Sequence, residues 1–147
     1  MLNRTKNSVE LYLCEKPSQG RDIARILGAN QRNEGYLQGG QVVVSWCIGH
    51  LLEMVPPDAY DPKYKRWSLT DLPILPMQWQ MTPKKSTSKQ LTVLKKLLKK
   101  SHSVVIATDA DREGETIARE VLAYFNYTGA TRRLWLSALD TVSVQRA

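Results

Sequence analysis

Cysteine and histidine each occur only twice in the 147 residues. Cys14 and Cys47 both sit inside apolar runs, LYLCEK and VVVSWCIG, without metal-ligand spacing. Neither a disulfide framework nor a zinc site is supported, and buried, reduced thiols are the expectation. No apolar run is long enough to span a bilayer, so no membrane partner is expected. The opening stretch MLNRTKNS is polar and carries no hydrophobic leader, which makes a cytoplasmic location the expectation. There is no internal repeat and no low-complexity tract. Acidic residues are outnumbered, 14 against 21 Lys and Arg, for a formal charge of +7. Such a chain attracts polyanions, and nucleic acid is the leading partner class.

The length, with 42% hydrophobic residues, suits one domain with one core. VELYLC (9 to 14) reads as a buried strand. The turn EKPS leads from it into a helix, SQGRDIARILG, with Ile23, Ala24, Ile26 and Leu27 on one side and Gly28 as its stop. QVVVSWCIG (41 to 49), SVVIAT (103 to 108) and RRLWLS (132 to 137) read as further strands. Residues 56 to 83 hold six of the seven prolines and two of the four tryptophans with little periodicity, which predicts a long irregular insertion. Leu91, Leu94, Leu97 and Leu98 then recur at helical spacing opposite lysines, and Ile117, Val121, Leu122 and Phe125 mark another helix. Strands alternating with helices predict an α/β fold with a mainly parallel sheet flanked by helices. Asp140 reads as a helix N-cap followed by barely two turns, TVSVQRA, so a fragment of a longer protein is expected.

The acidic residues are concentrated in IATDADREGE, where Asp109, Asp111, Glu113 and Glu115 take every second position. If VVIAT is a strand, Asp109 lies at its carboxyl end, the edge at which open α/β sheets bind ligands. Alternate residues of extended chain project to one side, so Asp109 and Asp111 are expected to converge, with Glu113 joining from the next turn. Crowded carboxylates repel one another unless a cation neutralises them, and an all-oxygen set favours a hard ion, Mg²⁺ before Ca²⁺ or Zn²⁺. His102, the nearest histidine in sequence, should lie at the opposite end of the strand. Two other readings stay open. Counted from Asp109, Gly114 and Glu120 fill the glycine and glutamate positions of a Ca²⁺-binding loop, although that loop needs a helix on each side. The cluster also reads as an acidic helix start salt-bridged to Arg112 and Arg119.

Glu15 and Lys16 follow the first strand as Asp109 follows the third. If those strands are neighbours, a fourth carboxylate and an ammonium join the cluster. An acid, metal-bound aspartates and a lysine suit phosphoryl transfer. His50, in IGHLLE, falls on the same expected edge, where either a DNA or active-site contact or a histidine fixing the turn accounts for it. The lysines of residues 84 to 100 suit DNA phosphates or a solvated helix face equally. Trp67 and Trp79 could stack on bases, but their setting among leucines and prolines favours clamps pinning the insertion to the domain.

LYLCEKPSQGRDIA, WCIGHLLE, RWSLTDLPILP and ATDADREGETIARE together resemble the Toprim domain of type IA DNA topoisomerases, most closely the bacterial topoisomerase III branch. The resemblance runs from about Val9 to Asp140. It implies a Rossmann-like domain holding Mg²⁺ and part of an active site that cuts and rejoins one DNA strand. By resemblance, Asp109 and Asp111 match the metal-binding pair and Glu113 the third acid. Glu15 matches the general acid and base at the leaving 3′ oxygen and joins the metal site, and Lys16 matches the lysine that stabilises the scissile phosphate. Arg112 and Glu115 belong to the same motif with orienting or salt-bridge roles; Arg112, like His50, is a candidate DNA contact. The implied partners are a single-stranded DNA segment and the remaining domains of a parent topoisomerase. The nucleophilic tyrosine of such enzymes matches none of Tyr12, Tyr36, Tyr60, Tyr64, Tyr124 or Tyr127, so this polypeptide alone is not expected to relax DNA. The alternatives are a non-catalytic binding module of the same fold, or a primase or nuclease domain.

Overall fold

A computed structural model describes residues 8 to 147. The polar opening stretch, apart from Ser8, lies outside the described residues. The chain runs β1 (Val9–Cys14), α1 (Pro17–Ile26), β2 (Gln31–Asn33), β3 (Tyr36–Gly39), β4 (Val42–Trp46), β5 (Leu52–Met54), α2 (Pro57–Tyr60), β6 (Met81–Pro83), α3 (Ser88–Lys100), β7 (Ser101–Ile106), α4 (Arg112–Tyr124), β8 (Ala130–Arg133) and α5 (Thr141–Arg146). Six strands form one sheet in the order β2-β3-β4-β1-β7-β8, and β5 and β6 form a separate antiparallel pair. From β4 to β8 the sheet is parallel, with the β2–β3 hairpin antiparallel at one edge.

The sheet is covered on both faces because its strands are apolar on both. On β1, Leu11 and Leu13 join Val43, Val104 and Ile106 against Leu91, Leu94, Leu97 and Leu98 of α3 and Ile117, Val121 and Leu122 of α4. Cys14, Val44 and Ala107 meet Ile23 and Ala24 of α1 on the opposite face. Alternate side chains of a strand point to opposite faces, so a run such as LYLC supplies both layers. The result is a helix–sheet–helix sandwich, as the alternation of elements predicts. The lysines of α3 at 95, 96, 99 and 100 are exposed, and α1 ends as expected before Gly28, whose φ of +72° suits glycine.

Several boundaries differ from expectation. β7 is Ser101–Ile106, not 103 to 108, and β8 is Ala130–Arg133, not 132 to 137. β7 ends early because its neighbour β1 turns away after Cys14, leaving Ala107 only a single backbone bond, to Leu13 O at 2.8 Å. The β2–β3 hairpin was not foreseen: its strands are three and four residues long and β2 is wholly exposed, so hydrophobic patterning is absent. The β5–β6 pair, equally short, closes the base of the proline-rich insertion, which itself contains α2 and two 3₁₀ turns, Pro62–Arg66 and Leu69–Asp71. Trp67 and Trp79 do not pin that insertion down, being 53% and 58% exposed.

From β1 the chain passes through α1 and the β2–β3 hairpin to β4, on one side of β1, whereas β7 lies on the other side and leads through α4 to β8. The connections therefore diverge at the β1–β7 boundary, the switch point outside which open α/β sheets place their ligands.

Candidate functional site

At that boundary the two motifs meet. Glu15 and Lys16 connect β1 to α1, and residues 107 to 111 connect β7 to α4. The Asp109 backbone N–H donates to Glu15 Oε2 at 3.1 Å. Gln19 spans the same gap: its Oε1 accepts from the Glu15 N–H at 2.8 Å, and its Nε2 donates to Asp109 Oδ1 at 2.8 Å. Gln19 is 1% exposed, so its amide is committed to this bridge, as a buried polar group must be. Lys16 Nζ stands 4.0 Å from Asp109 Oδ2 with both groups about half exposed, a loose pairing that leaves the ammonium available.

Asp111 is the N-cap of α4, and its Oδ1 accepts from the Gly114 N–H at 2.7 Å. Gly114 is required there: a Cβ would collide with the carbonyl of Asp109. Both α1 and α4 begin at this edge, so two helix N-termini add partial positive charge around the carboxylates. Glu115 pairs with Arg119 at 2.7 Å and with Arg133 at 3.5 Å. Arg133 also donates to Thr108 Oγ1 at 2.7 Å and to the Asp109 carbonyl.

The expected convergence of Asp109 and Asp111 by strand alternation does not hold. β7 ends at Ile106, and the chain bends at Thr108, Ala110 and Asp111. Asp109 is turned to Gln19, Asp111 is used as a cap, and Glu113 is exposed. Among the described residues, no three His, Cys, Asp or Glu side chains stand together closely enough to hold a metal ion. The helix-start reading of Glu115 and Arg119 is realised, whereas Arg112 is exposed and makes no ion pair among the described residues. A strand, not a helix, precedes the acidic loop, so the flanking helices of a Ca²⁺ loop are not in place.

A Toprim domain model matches residues 10–139. The chain belongs to the Toprim domain family. Among relatives, DNA topoisomerase 3 of Haemophilus influenzae is 43% identical over 145 residues, 95% of this chain and 22% of its own length. DNA topoisomerase 3 of Vibrio cholerae is 45% identical over 143 residues, 93% of this chain and 22% of its own. That of Bacillus cereus is 40% identical over 140 residues, covering 94% and 19%. The chain thus spans about a fifth of the length of these relatives.

Three residues around this Toprim edge escaped the sequence reading. Gln19 had a usable signal: it stands one helical turn before Ile23, on the face that α1 buries. Thr108 and Arg133 had none, since their meeting depends on the pairing of Ile106 with Arg133 across β7 and β8. Glu120 supplies the partner that His50 lacked in its own stretch, with Nδ1 and Oε2 2.8 Å apart. Cys47 and Cys14 are buried and unpaired as expected. Burial, then the nearby charges of Glu15 and Glu120, push the Cys47 thiol up to about 12, and burial likewise raises Cys14. Both are inert thiols at neutral pH. His102 lies near the start of β7, at the far end from the acidic loop. No helix among the described residues is long and apolar enough to cross a membrane.

Proposed function

We propose that this Toprim domain is the cation- and phosphate-handling part of a type IA DNA topoisomerase of the topoisomerase III kind, acting on a single-stranded DNA segment in the cytoplasm. The observation that carries the reading is the Asp109 N–H to Glu15 Oε2 hydrogen bond, which joins two motifs 94 residues apart at the switch point of the sheet. The relatives named DNA topoisomerase 3 support the choice of chemistry.

The donor chemistry, though not the spacing of the side chains as they stand, suits a hard divalent ion. Glu15, Asp109, Asp111 and Glu113 offer only oxygens. Glu15 Oε1, Asp111 Oδ2 and both oxygens of Glu113 accept no hydrogen bond among the described residues. These four residues would hold the ion, with Mg²⁺ preferred on the hardness of the ligands. When bound, the ion supplies positive charge to a phosphodiester. Lys16 adds a mobile ammonium for a non-bridging phosphate oxygen, and the N-termini of α1 and α4 add fixed dipoles. Glu15 gives a proton to the leaving 3′ oxygen as the strand is cut and takes it back when the strand is rejoined. The attacking tyrosine is taken to come from outside this chain; the places of Tyr12 inside β1, Tyr124 at the end of α4 and Tyr127 just beyond it support packing roles for those three. His50 and Arg112 serve as contacts to the DNA backbone.

The test uses a parent polypeptide carrying this domain. It should relax negatively supercoiled DNA only with a divalent ion, lose that activity with Asp109→Asn plus Asp111→Asn, and cleave and rejoin slowly with Glu15→Gln. The 147-residue chain by itself should give no covalent DNA adduct. Nucleotide polymerisation or irreversible cleavage by the parent would assign the domain to a primase or nuclease instead, and a parent without any strand-passing activity would leave a binding module.

A further inference from the structure

Asp109 is restrained from three directions. Gln19 holds its side chain, Glu15 holds its N–H, and Arg133 holds its carbonyl. The first two belong to the motifs already described; the third does not. Arg133 is the last residue of β8 and pairs in register with Ile106, the last residue of β7, with the Leu134 N–H bonded to Ile106 O at 2.9 Å. Its guanidinium therefore starts from a fixed point beside the place where the acidic loop leaves the sheet. The side chain is only 19% exposed. Nη1 donates to Thr108 Oγ1 at 2.7 Å and stands 3.5 Å from Glu115 Oε2, while Nη2 donates to the carbonyl of Asp109. Thr108 is itself fully buried.

One planar group thus ties together the start of the loop, the carbonyl of Asp109 and the first turn of α4. A lysine cannot reproduce this, because it offers a point charge rather than a rigid fork of donors. Glu115, held between Arg133 and Arg119, is neutralised by cations of its own fold. That separates it from Asp109, Asp111 and Glu113, whose charges no arginine pairs among the described residues.

We propose that Arg133 is a positioning residue for the acidic site: it fixes the loop between β7 and α4, using Glu115 as its anchor on the helix, and so sets where Asp109 and Asp111 meet a divalent cation. The inference rests on the metal-site reading above for its second half only; the fixing of the loop stands on geometry alone. Outer residues that orient metal ligands change metal affinity when removed, by about 10- to 100-fold in known sites.

The experiment measures Mn²⁺ binding by electron paramagnetic resonance, together with amide hydrogen exchange, on the 147-residue chain and its Arg133→Gln, Arg133→Lys and Glu115→Gln variants at a temperature where all are folded. Arg133→Gln should weaken Mn²⁺ binding by about tenfold at unchanged stoichiometry and speed exchange of the amides from Thr108 to Asp111, leaving β1 and β4 protected. Arg133→Lys should recover part of both effects, and Glu115→Gln should shift both in the same direction by less. A purely structural role would lower the melting temperature but leave Mn²⁺ affinity and loop exchange at wild-type values, which would overturn the proposal. If the wild-type chain binds no Mn²⁺, the metal reading falls and exchange alone decides. Faster exchange confined to the loop upholds the positioning role, and unchanged exchange removes it. If Arg133→Gln does not fold, Arg133→Lys carries the same comparison.

Discussion

The carboxyl edge between β1 and β7 and the insertion between β5 and β6 both leave the regular framework, yet they are held by different means. At the edge, buried or half-buried polar groups cross-link distant segments: Gln19 to Asp109, Asp109 to Glu15, and Arg133 to Thr108 and Glu115. Each bond joins parts of the chain far apart in sequence, so the loop conformations are set by the whole fold. The insertion is held at its base, where Val55 N–H bonds to Gln80 O and Gln80 N–H to the Tyr60 hydroxyl, and otherwise by short local turns. Its large apolar side chains are open to solvent, with Leu69 at 83% and Leu75 at 73% exposed. It also carries equal numbers of acidic and basic residues, three of each between 56 and 83. The excess positive charge of the chain lies elsewhere, so attraction of a polyanion is a property of the framework and not of the insertion. Long-range polar fixation marks the place where geometry matters for chemistry.

The sharpest way to break this contrast is by stability. Leu13→Ala or Ile106→Ala, both fully buried in the sheet, should cost about 2–5 kcal/mol in urea denaturation. Leu69→Ala or Leu75→Ala in the insertion should stay within about 0.5 kcal/mol. Comparable losses at the two sets of positions would mean that the insertion is packed as tightly as the core. Gly114→Ala should come next, since its methyl collides with the Asp109 carbonyl; an overpacked site loses about 1–3 kcal/mol, and amide shifts should extend to Asp109 and Glu15. Gln19→Leu strands the Glu15 N–H and Asp109 Oδ1, an expected cost of about 1–3 kcal/mol, readable by the same denaturation.

The gentlest probe is pH. Cys47 binds its proton more tightly folded than unfolded, near 12 against an ordinary 9.0. Its contribution to stability is therefore complete below pH 9 and is lost as pH rises from there toward 12. Unfolding midpoints should fall over that window, and Cys47→Ala should flatten the fall. An unaltered slope in the variant would show that the buried thiol is not its source.

The framework was readable in the sequence wherever burial imposed a pattern. The leucines of α3, the apolar face of α4 and the runs of β1, β4 and β7 all announce themselves by period or by β-branched content. The hairpin of β2 and β3 did not, because exposed strands of three or four residues carry no such pattern. The site was legible as two motifs, and their meeting followed from strands β1 and β7 being neighbours. What the sequence could not supply was the set of cross-links: Arg133 reaches Thr108 only through strand register, and His50 finds Glu120 only once α4 is in place. Alternation also misled at Asp109 and Asp111, because it holds inside a strand and β7 stops three residues before Asp109.

The proposal that the loops after β1 and β7 form one cation site is open to a direct test. That test is a Mn²⁺ titration followed by amide NMR, comparing the native chain with Asp109→Asn plus Asp111→Asn. Signals around Glu15 and from Asp109 to Glu113 should broaden together at the same Mn²⁺ concentration, and the double variant should abolish both effects. Broadening of the two loops at separate concentrations, or persistence of either in the variant, would contradict it.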